Sequence, residues 1–465
     1  MTHAFLIGIG GSGLSAIARL LIEKGYQVSG SDLEYSSYVR ELENLGAKVY
    51  VGHNVDQISG ADFVIRSSAI PDDNVEVKAA QSAHIPLYKR SEYLGKITAD
   101  QYCVAVAGTH GKTTTTAMIS WMLTAMDQDP SYIIGSISKN LAANAHAGNG
   151  STFIIEADEY DCMFLGLRPK IAVITNIEHD HPDCFPKERD YYEAFVEFVK
   201  QIPEDGILLS CTDDPKASAL FDLAGQELKI DPQSYGIEMR ADDTTPNYVV
   251  RNLSLNQSGS YNFEIYHDQK YLAVITLQVP GIHNVRNALA SLAVAQLLDL
   301  PLDKAARALS DFQGTDRRFD IQGEVSGIAV IDDYAHHPTE IQATLEAARN
   351  RYPDRELWAV WQPHTYSRTE TLFDEYLTAF SEADHVLVTE IFASREAIRD
   401  DFSALQVVQA MKHKDASFKA SKVQVVDHLL ANLKSGDVVL VLSAGDANQI
   451  SAQVVEKLSL NGNDE

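Results

Sequence analysis

The fold of this chain is decided by one stretch of its sequence, Val104-Ala-Val-Ala-Gly-Thr-His-Gly-Lys-Thr-Thr-Thr-Thr116. The apolar run from Cys103 to Ala107 predicts a buried strand, which a glycine-containing turn follows before a helical segment begins at Lys112. In such a layout the amides at the helix N-terminus face phosphate groups, and the lysine reaches the β and γ oxygens. The stretch therefore predicts a loop that binds ATP or GTP.

The predicted phosphate loop departs from the usual pattern at one position. The common form has a glycine where this chain has Val106, and the nearest glycine is Gly108. The alternative is a strand-to-helix turn with a surface lysine, but the order of strand, turn, Gly-Lys-Thr and helix favours phosphate binding. Thr113 is placed to put its hydroxyl on Mg²⁺. The residues predicted to contact the nucleotide are Gly108, Thr109, His110, Gly111, Lys112, Thr113 and Thr114.

Composition restricts the class of protein. The 465 residues suffice for roughly two to four domains, and 45% hydrophobic residues are ordinary for a globular protein. A net charge of −27 argues against a broad nucleic-acid or anionic-membrane surface. The sequence shows no apolar run long enough for a membrane span, no basic leader, and no CxxC spacing among its four cysteines. We therefore expect a cytoplasmic protein with reduced thiols and no membrane or nucleic-acid partner.

Residues 1–97 are predicted to form a Rossmann-like domain. The first strand meets the turn Gly8-Ile-Gly-Gly-Ser-Gly13, a helix follows, and a second strand ends at Asp32. A GxGxxG turn alone is a weak signal, but with its strand, helix and acidic residue it indicates a diphosphate-binding site. NAD and a UDP-sugar are both open as ligands, as is tight packing with no ligand. The predicted contacts are Gly10, Gly11, Ser12, Gly13 and Asp32.

The rest of the chain divides into two further α/β segments. Residues 98–315 contain the phosphate loop, and their apolar runs and helical stretches predict a mostly parallel, P-loop ATPase-like sheet. Alternating strands within residues 245–280 predict a small antiparallel addition. Residues 316–465 have apolar strands with helices between them and predict a second Rossmann-like domain. The predicted plan is three α/β domains in series.

Acidic and imidazole side chains follow two predicted strands beside the phosphate loop. Glu156 ends one strand and His181 comes after the next. Because ligands of an open α/β sheet bind at the carboxyl ends of its strands, both residues are predicted to hold Mg²⁺ together with Thr113. Histidine is an unusual ligand for Mg²⁺. A helix-capping role for Glu156 and a loop or zinc role for His181 are the alternatives.

Three polar segments near the third domain are further candidates. They are Arg317-Arg318 in the linker, Asp332-Asp-Tyr-Ala-His-His-Pro338 at a strand end and Gln362-Pro-His-Thr-Tyr-Ser-Arg368 at the next strand end. Each alone is equally well explained as a solvated surface loop. Together they would line one face of the domain, where arginines can meet phosphate or carboxylate groups.

These motifs, in this order, resemble the Mur ligase family of ATP-dependent amino-acid ligases, which build the peptide of bacterial peptidoglycan. The resemblance covers nearly the whole chain. Besides the phosphate loop it rests on Glu156-Ala-Asp-Glu159, Thr175-Asn-Ile-Glu-His-Asp-His181, Gly281-Ile-His-Asn-Val-Arg-Asn287, Arg317-Arg-Phe319 and Asp332-Asp-Tyr-Ala-His-His-Pro-Thr339. It implies ATP and Mg²⁺ as cofactors, and it implies that the N-terminal glycine turn holds the UDP portion of a sugar substrate instead of NAD.

The resemblance also implies a role for each matched residue. The implied catalytic residues are Lys112, Arg318, Asp333 and His337. The implied nucleotide contacts beyond the loop are Asn284, Asn287 and Arg318. The implied substrate contacts in the third domain are His336, His364 and Arg368. The base that must deprotonate the attacking amine is left open among His336, His337 and Asp333.

Within the family, the segments 8–13, 362–369 and 444–446 resemble the member that attaches L-alanine to the lactyl carboxylate of UDP-N-acetylmuramate through an acyl phosphate. The segment 155–162 more closely resembles the recycling member, which attaches L-Ala-γ-D-Glu-meso-diaminopimelate. Thr365 stands where the alanine-specific member has arginine, which leaves alanine, glycine, serine and a peptide open as acceptors. A dehydrogenase and a non-catalytic nucleotide switch are the alternatives outside the family. We expect a monomer or a weak homodimer.

Overall fold

The computed structural model describes residues 1–237 and 244–461. Residues 238–243 of the predicted second domain and 462–465 of the predicted third lie outside this description. Over the described residues the chain forms three β-sheets, one after another along the sequence, with helices between the strands. None of the described helices is long and apolar enough to cross a membrane.

The first sheet is wholly parallel. Its strands are β1 (His3–Ile7), β2 (Gln27–Asp32), β3 (Lys48–Val51), β4 (Phe63–Arg66) and β5 (Leu87–Lys89). The helices of this segment are α1 (Ser12–Glu23), α2 (Ser37–Asn44), α3 (Val75–Ser82) and α4 (Arg90–Thr98). The strand order is β3-β2-β1-β4-β5, so the order reverses between β1 and β4. Ligands bind at this kind of reversal, and the glycine turn between β1 and α1 lies there.

The second sheet contains the phosphate loop. Its strands are β6 (Tyr102–Ala107), β7 (Ser131–Ser138), β8 (Ala143–His146), β9 (Thr152–Glu156), β10 (Ile171–Ile174), β11 (Ile207–Cys211), β12 (Asp231–Gly236), β13 (Tyr248–Leu255), β14 (Tyr261–His267) and β15 (Lys270–Thr276). Its helices are α5 (Lys112–Ala125), α6 (Glu188–Val199), α7 (Pro215–Glu227), α8 (Ile282–Leu297) and α9 (Leu302–Ser310). The order is β15-β14-β13-β12-β11-β10-β6-β9-β7-β8, and only the pairs β7–β8, β13–β14 and β14–β15 are antiparallel among these described strands. β6 lies between β10 and β9, so the segments after all three strands meet at one edge.

The third sheet is parallel except for one edge strand. Its strands are β16 (Asp320–Val325), β17 (Ile328–Asp333), β18 (Leu357–Trp361), β19 (His385–Val388), β20 (Ala416–Phe418) and β21 (Val438–Leu442). Its helices are α10 (Pro338–Arg351), α11 (Tyr366–Thr371), α12 (Phe373–Tyr376), α13 (Ala404–Ala410), α14 (Lys422–Asn432) and α15 (Asn448–Asn461). The order is β16-β17-β21-β18-β19-β20, with β16 antiparallel to β17. The strands β17, β18 and β21 are buried along their whole length, as expected for parallel strands that helices cover on both faces.

The predicted fold class is confirmed. Three α/β units follow one another, and the central unit carries the predicted antiparallel strands beside its parallel sheet. Each sheet lies within one of the predicted segments 1–97, 98–315 and 316–465. The boundaries themselves stay predictions, since α4 runs across the first of them.

Candidate active site

The phosphate loop connects β6 to α5 through two glycines in left-handed or otherwise positive-φ conformations. Gly108 has φ 132° and Gly111, which caps α5, has φ 82°. A Cβ at Gly108 would lie 2.0 Å from Oγ1 of Thr175, and a Cβ at Gly111 would lie 2.8 Å from Oδ1 of Asn287. Only glycine fits both positions, because each combines an unusual backbone conformation with a close neighbour. The loop thus packs directly against Thr175, which follows β10, and against the second turn of α8.

Lys112 is buried at the start of α5. Its ammonium donates to the carbonyl oxygens of Gly108 and Thr109 at 2.5 and 3.1 Å, and it lies 2.8 Å from the carboxylate of Glu159. Burial opposes the charge, but nearby carboxylates, Glu159 foremost, outweigh it and raise the pKa of Lys112. The lysine therefore stays protonated within the loop, as phosphate binding requires.

Oxygen ligands suitable for Mg²⁺ lie beside the loop. The hydroxyl of Thr113 donates to Oε1 of Glu156 at 3.0 Å, and the amide of Gly135 donates to Oε2 at 2.7 Å. Burial raises the pKa of Glu156, although Lys112 opposes the shift. A hydroxyl and a carboxylate are hard donors, so this pair fits the predicted metal.

The third predicted metal ligand, His181, lies next to other carboxylates. Its φ is 54°, and its Nε2 lies 3.7 Å from both Glu159 and Asp180. Its Nδ1 is buried and has no hydrogen-bond partner among the described residues. A metal-binding imidazole commonly has one nitrogen facing the metal while a carboxylate faces the other. The surroundings of His181 fit that arrangement, with Glu159 between this imidazole and Lys112.

A cavity of about 370 Å³ opens between the central and third units. Seven predicted residues line it: His110, Gly111, Thr114, Asn284, Asn287, Arg318 and Asp333. The sequence prediction missed other lining residues, which include Asn176, Glu178, Asp213, Tyr235, His283 and Glu340. The predicted loop residues Gly108, Thr109, Lys112 and Thr113 are not among the lining residues, and the side chains of Lys112 and Thr113 contact Glu159 and Glu156 instead. The cavity is therefore a candidate for the part of a nucleotide that lies beyond the phosphate loop.

The linker arginines take different roles. Arg317 has φ 59°, donates to Asp332 at 3.1 Å and to the carbonyl of Ser443, and so ties the linker to the third sheet. Arg318 lines the cavity and approaches Glu340 at 3.4 Å. Both guanidinium groups stack about 5 Å from the ring of Tyr334. Of the two arginines, only Arg318 lines the cavity, and its contact with the nucleotide stays a prediction.

Asp333 is held from several sides. One of its oxygens accepts from the amide of Phe319 at 2.8 Å, and the other accepts from the amide of Ala335 at 2.7 Å. The hydroxyl of Thr344 adds a contact of 3.3 Å. Burial raises the pKa of Asp333. With its oxygens occupied in this way, Asp333 fixes the linker against α10 and is a poor candidate for the base.

A charged cluster joins the central and third units beside the cavity. His110 lies 3.1 Å from Glu178 on one side and 3.1 Å from Glu340 on the other. Burial opposes a charged imidazole, but the two carboxylates outweigh it and raise the pKa of His110 to about 9. Burial raises the pKa of Glu178, but His110 and His337 outweigh this effect and lower the pKa to about 2. An imidazolium between two carboxylates thus bridges the interface.

Two adjacent histidines at the start of α10 differ in their hydrogen bonds. Nδ1 of His336 lies 2.9 Å from the carbonyl of Tyr334, so Nδ1 carries the proton and Nε2 has the free lone pair. Nδ1 of His337 accepts from the amide of Thr339 at 3.3 Å, so Nε2 carries its proton. Burial lowers the pKa of each imidazole to about 4, and both are therefore neutral at pH 7.

The predicted acceptor residues lie beside these histidines. The ring of His364 lies 5.9 Å from that of His336, and its Nδ1 accepts from Arg368 at 2.9 Å, which leaves a proton on Nε2. Arg368 is almost fully buried and donates to Asp180 at 2.8 Å. Its charge is thus already paired across the interface, and it positions His364. Thr365 is also buried and caps α11, so its side chain faces the protein interior.

The N-terminal glycine turn contacts an arginine that sequence reasoning missed. The amide of Gly10 donates to Asp32 at 2.8 Å, while Gly11 and Ser12 are exposed at the start of α1. A Cβ at Gly13 would lie 2.2 Å from the guanidinium of Arg90, whose Nε is buried without a hydrogen-bond partner among the described residues. Burial lowers the pKa of Arg90, and acidic residues of the central unit oppose that shift. No local motif marks Arg90, because the fold alone brings it to the turn.

Known proteins resemble this chain over nearly its whole length. Sequence models of three domains match it: "Mur ligase family, catalytic domain" over residues 3–102, "Mur ligase middle domain" over 106–295 and "Mur ligase, glutamate ligase domain" over 317–445. A UDP-N-acetylmuramate–L-alanine ligase from Geotalea daltonii is 40% identical over 456 residues, which cover 97% of each chain.

Two solved structures share the three-domain arrangement. The UDP-N-acetylmuramate-alanine ligase from Thermotoga maritima superposes with a TM-score of 0.83 at 28% identity and covers 99% of this chain and 100% of that one. A murein peptide ligase from Psychrobacter arcticus gives a TM-score of 0.74 at 25% identity over 99% of both chains. With the sequence matches and the geometry of the phosphate loop, these similarities show that the chain belongs to the Mur ligase family.

Proposed function

We propose that this chain is an ATP-dependent ligase that joins L-alanine to the lactyl carboxylate of UDP-N-acetylmuramate, by way of an acyl phosphate, in the synthesis of peptidoglycan precursors. The observation that carries the proposal is the cavity that the phosphate loop and the third domain enclose together. A dehydrogenase has no use for such a loop, and a simple nucleotide switch has no use for the third domain. The name borne by the relatives of about 40% identity supports alanine as the acceptor.

The central domain would bind ATP. Lys112 would meet the β- and γ-phosphates, and the cavity lined by Asn284 and Asn287 would hold the adenosine. Thr113, Glu156 and His181 would hold Mg²⁺, which when bound neutralises charge on the phosphates. The backbone amides at the start of α5, from Gly111 to Thr114, would face the phosphates. Gly108, Thr109 and His110 would shape the loop, since the amides of Thr109 and His110 already donate to Asn176.

The first step activates the lactyl carboxylate. The lactyl carboxylate attacks the γ-phosphorus, the bond to the bridging oxygen of ADP breaks, and an acyl phosphate forms. Phosphoryl transfer depends on alignment and charge neutralisation. Lys112 and Arg318 approach the site from opposite domains and supply that charge. Closure of the domains excludes water, which otherwise hydrolyses the acyl phosphate.

The second step requires a neutral amine. The nitrogen of L-alanine attacks the acyl carbon, phosphate leaves, and a base takes the proton from the amine. The hydrogen bonds favour His336 over His337 for this role, because His336 has its free lone pair on Nε2 whereas His337 has a proton there. His364 presents an N–H beside His336 and would donate to the carboxylate of the acceptor.

The sugar nucleotide would lie on the first domain. Gly10, Gly11, Ser12 and Gly13 would present backbone groups to its diphosphate, and Asp32 holds the turn in shape through the amide of Gly10. The substrates ATP and a UDP-sugar belong to the cytoplasm, which is the location we propose. We also propose that the domains comprise residues 1–97, 98–315 and 316–465. The protein would be a monomer or a weak homodimer.

Phosphate release from ATP tests this function. The purified protein is incubated with ATP, Mg²⁺ and UDP-N-acetylmuramate in four parallel reactions. One reaction has no acceptor, and the others contain L-alanine, glycine or L-Ala-γ-D-Glu-meso-diaminopimelate. We expect release to require both the sugar acid and L-alanine, and the product to be heavier by one alanyl residue. Release that needs only the tripeptide would identify the recycling ligase instead. Release without the sugar acid would contradict ligation altogether.

A further inference from the structure

Glu159 is a buried carboxylate that pairs with Lys112 but has no assigned part in binding ATP, the metal or a substrate. It follows Glu156 by three positions, in the segment between β9 and a 3₁₀ turn at Tyr160–Gly166, and its side chain is 1% exposed. Burying a carboxylate is costly unless charged and hydrogen-bonding groups surround it. Its neighbours therefore indicate what it is for.

The carboxylate of Glu159 touches three functional elements. Oε1 accepts from Lys112 at 2.9 Å and from the hydroxyl of Tyr191 at 3.1 Å, and Oε2 lies 2.8 Å from the same lysine. Nε2 of His181 lies 3.7 Å from Oε1. The phosphate-binding cation and the proposed metal-binding imidazole thus share one carboxylate.

The position of Glu159 is itself fixed. Tyr191 comes from α6, is buried, and also lies 3.0 Å from the hydroxyl of Thr109 in the phosphate loop. That hydroxyl donates to the carbonyl of Glu178 at 2.8 Å and accepts from the amide of the same residue at 2.9 Å. A closed network therefore connects Glu159, α6, the phosphate loop and the segment after β10. The network restrains the carboxylate of Glu159 in one position.

We propose that Glu159 is a positioning residue that aligns Lys112 for the phosphates and faces Nε2 of His181, so that Nδ1, unpartnered among the described residues, is the nitrogen that would hold a metal. This rests on the proposed function, since it assumes that Lys112 and His181 act on ATP and Mg²⁺. A group that only neutralised a buried lysine would affect stability. A group that aligns both residues affects the dependence on Mg²⁺ and ATP as well.

Three substitutions distinguish a residue that only neutralises Lys112 from one that also aligns Lys112 and His181. Glu159→Gln keeps the shape and can still accept from Lys112 and Tyr191, but it removes the charge. Glu159→Asp keeps the charge with a shorter reach. Tyr191→Phe leaves the charge intact and removes one of the hydrogen bonds that fix it. Glu197→Gln, on the exposed part of α6, is the matched control.

Steady-state kinetics and metal binding are measured for each variant. For Glu159→Gln we expect kcat and the affinity for Mg²⁺ to fall roughly 10- to 100-fold, the range found when groups that orient a metal ligand are removed. KM for the sugar acid and for L-alanine should stay within about twofold, as should every parameter of the control. Glu159→Asp should recover part of the loss, and Tyr191→Phe should show a smaller change in the same direction.

Mn²⁺ binding in the presence of a non-hydrolysable ATP analogue, followed by electron paramagnetic resonance, needs neither sugar nor amino acid. It therefore tests Glu159 even if the proposed function fails. Weakened Mn²⁺ binding by the folded Glu159→Gln protein supports the proposal. Unchanged binding and unchanged kcat, with only a lower melting temperature, would overturn it in favour of a structural ion pair.

Discussion

Thr339 of the third domain donates a hydrogen bond of 2.7 Å to the carboxylate of Glu178 in the central domain. On the other side of that carboxylate, His110 lies 3.1 Å away and also contacts Glu340 of the third domain. The central and third units are therefore held together by groups that titrate. The charge state of one imidazole, His110 in the phosphate loop itself, couples this contact between the two units to pH.

This interface predicts a pH dependence of stability. Folding raises the pKa of His110 from 6.5 to about 9. Its charged imidazole therefore stabilises the folded state fully below pH 6.5, and this contribution is lost as the pH rises through about 9. The pKa of Glu178 is lowered from 4.5 to about 2, so its contribution is present above pH 4.5 and lost as the pH falls through about 2. We expect the melting temperature to fall between about pH 7 and 9.

The variant His110→Asn checks the origin of that fall. It should melt at a lower temperature than the unmodified protein near pH 6 and should show a flatter profile between about pH 7 and 9. His84→Asn is the control, because that histidine is exposed and has a φ of 54° that asparagine tolerates. An equally steep profile in the His110 variant would show that the pH dependence arises elsewhere.

Removal of the phosphate-binding lysine should abolish the first step. In Lys112→Met we expect phosphate release to fall by roughly 100- to 1,000-fold, because the transferring phosphoryl group loses its principal fixed cation. Glu159 is then left buried without its partner, so the melting temperature should fall too. Binding of UDP-N-acetylmuramate, measured by calorimetry, should not change. Lys200→Met, at the exposed residue that follows α6, is the control, and a comparable loss of activity there would undermine the assignment.

Arg90 should matter to the sugar nucleotide and not to ATP. Its guanidinium lies against Gly13 at the turn, and its Nε has no partner within the described residues. An anion on the turn would gain a charged hydrogen bond, worth about 1.5–3 kcal/mol. In Arg90→Met we therefore expect KM for UDP-N-acetylmuramate to rise roughly 10- to 100-fold while KM for ATP stays within about twofold. Equal increases in both constants would point to a general disturbance of the domain contact.

The sequence was most informative where chemistry is local. The phosphate loop could be located because strand, glycines, lysine and helix are contiguous, and its backbone conformation follows from those residues. The fold class followed from apolar runs alternating with helices. Arg90, Glu178 and Glu340 could not be placed, since their roles depend on contacts between domains that no local pattern records.

The structure also changes the interpretation of residues that the sequence did locate. Arg368 was expected to meet the carboxylate of the acceptor, and that role stays a prediction, but its guanidinium already pairs with Asp180. Thr365 stands where the alanine-specific member has arginine, and its side chain faces the interior of the protein. Nothing in the sequence distinguishes the adjacent imidazoles of His336 and His337, but in the structure they have different hydrogen-bond partners. Such differences become visible only when the neighbouring atoms of each residue are known.

The choice between those two histidines can be tested by changing the acceptor. In His336→Asn we expect kcat with L-alanine at pH 7 to fall roughly 100- to 10,000-fold, because the amine loses its base. Hydroxylamine is unprotonated at that pH and needs no base, so the same variant should still form the hydroxamate of the sugar acid at close to the normal rate. Raising the pH should restore part of the activity with alanine, since the amine then loses its proton in solution. His337→Asn, which keeps a capping side chain on α10, should change both reactions little. If the His337 variant loses activity only with alanine and the His336 variant does not, the two roles must be exchanged.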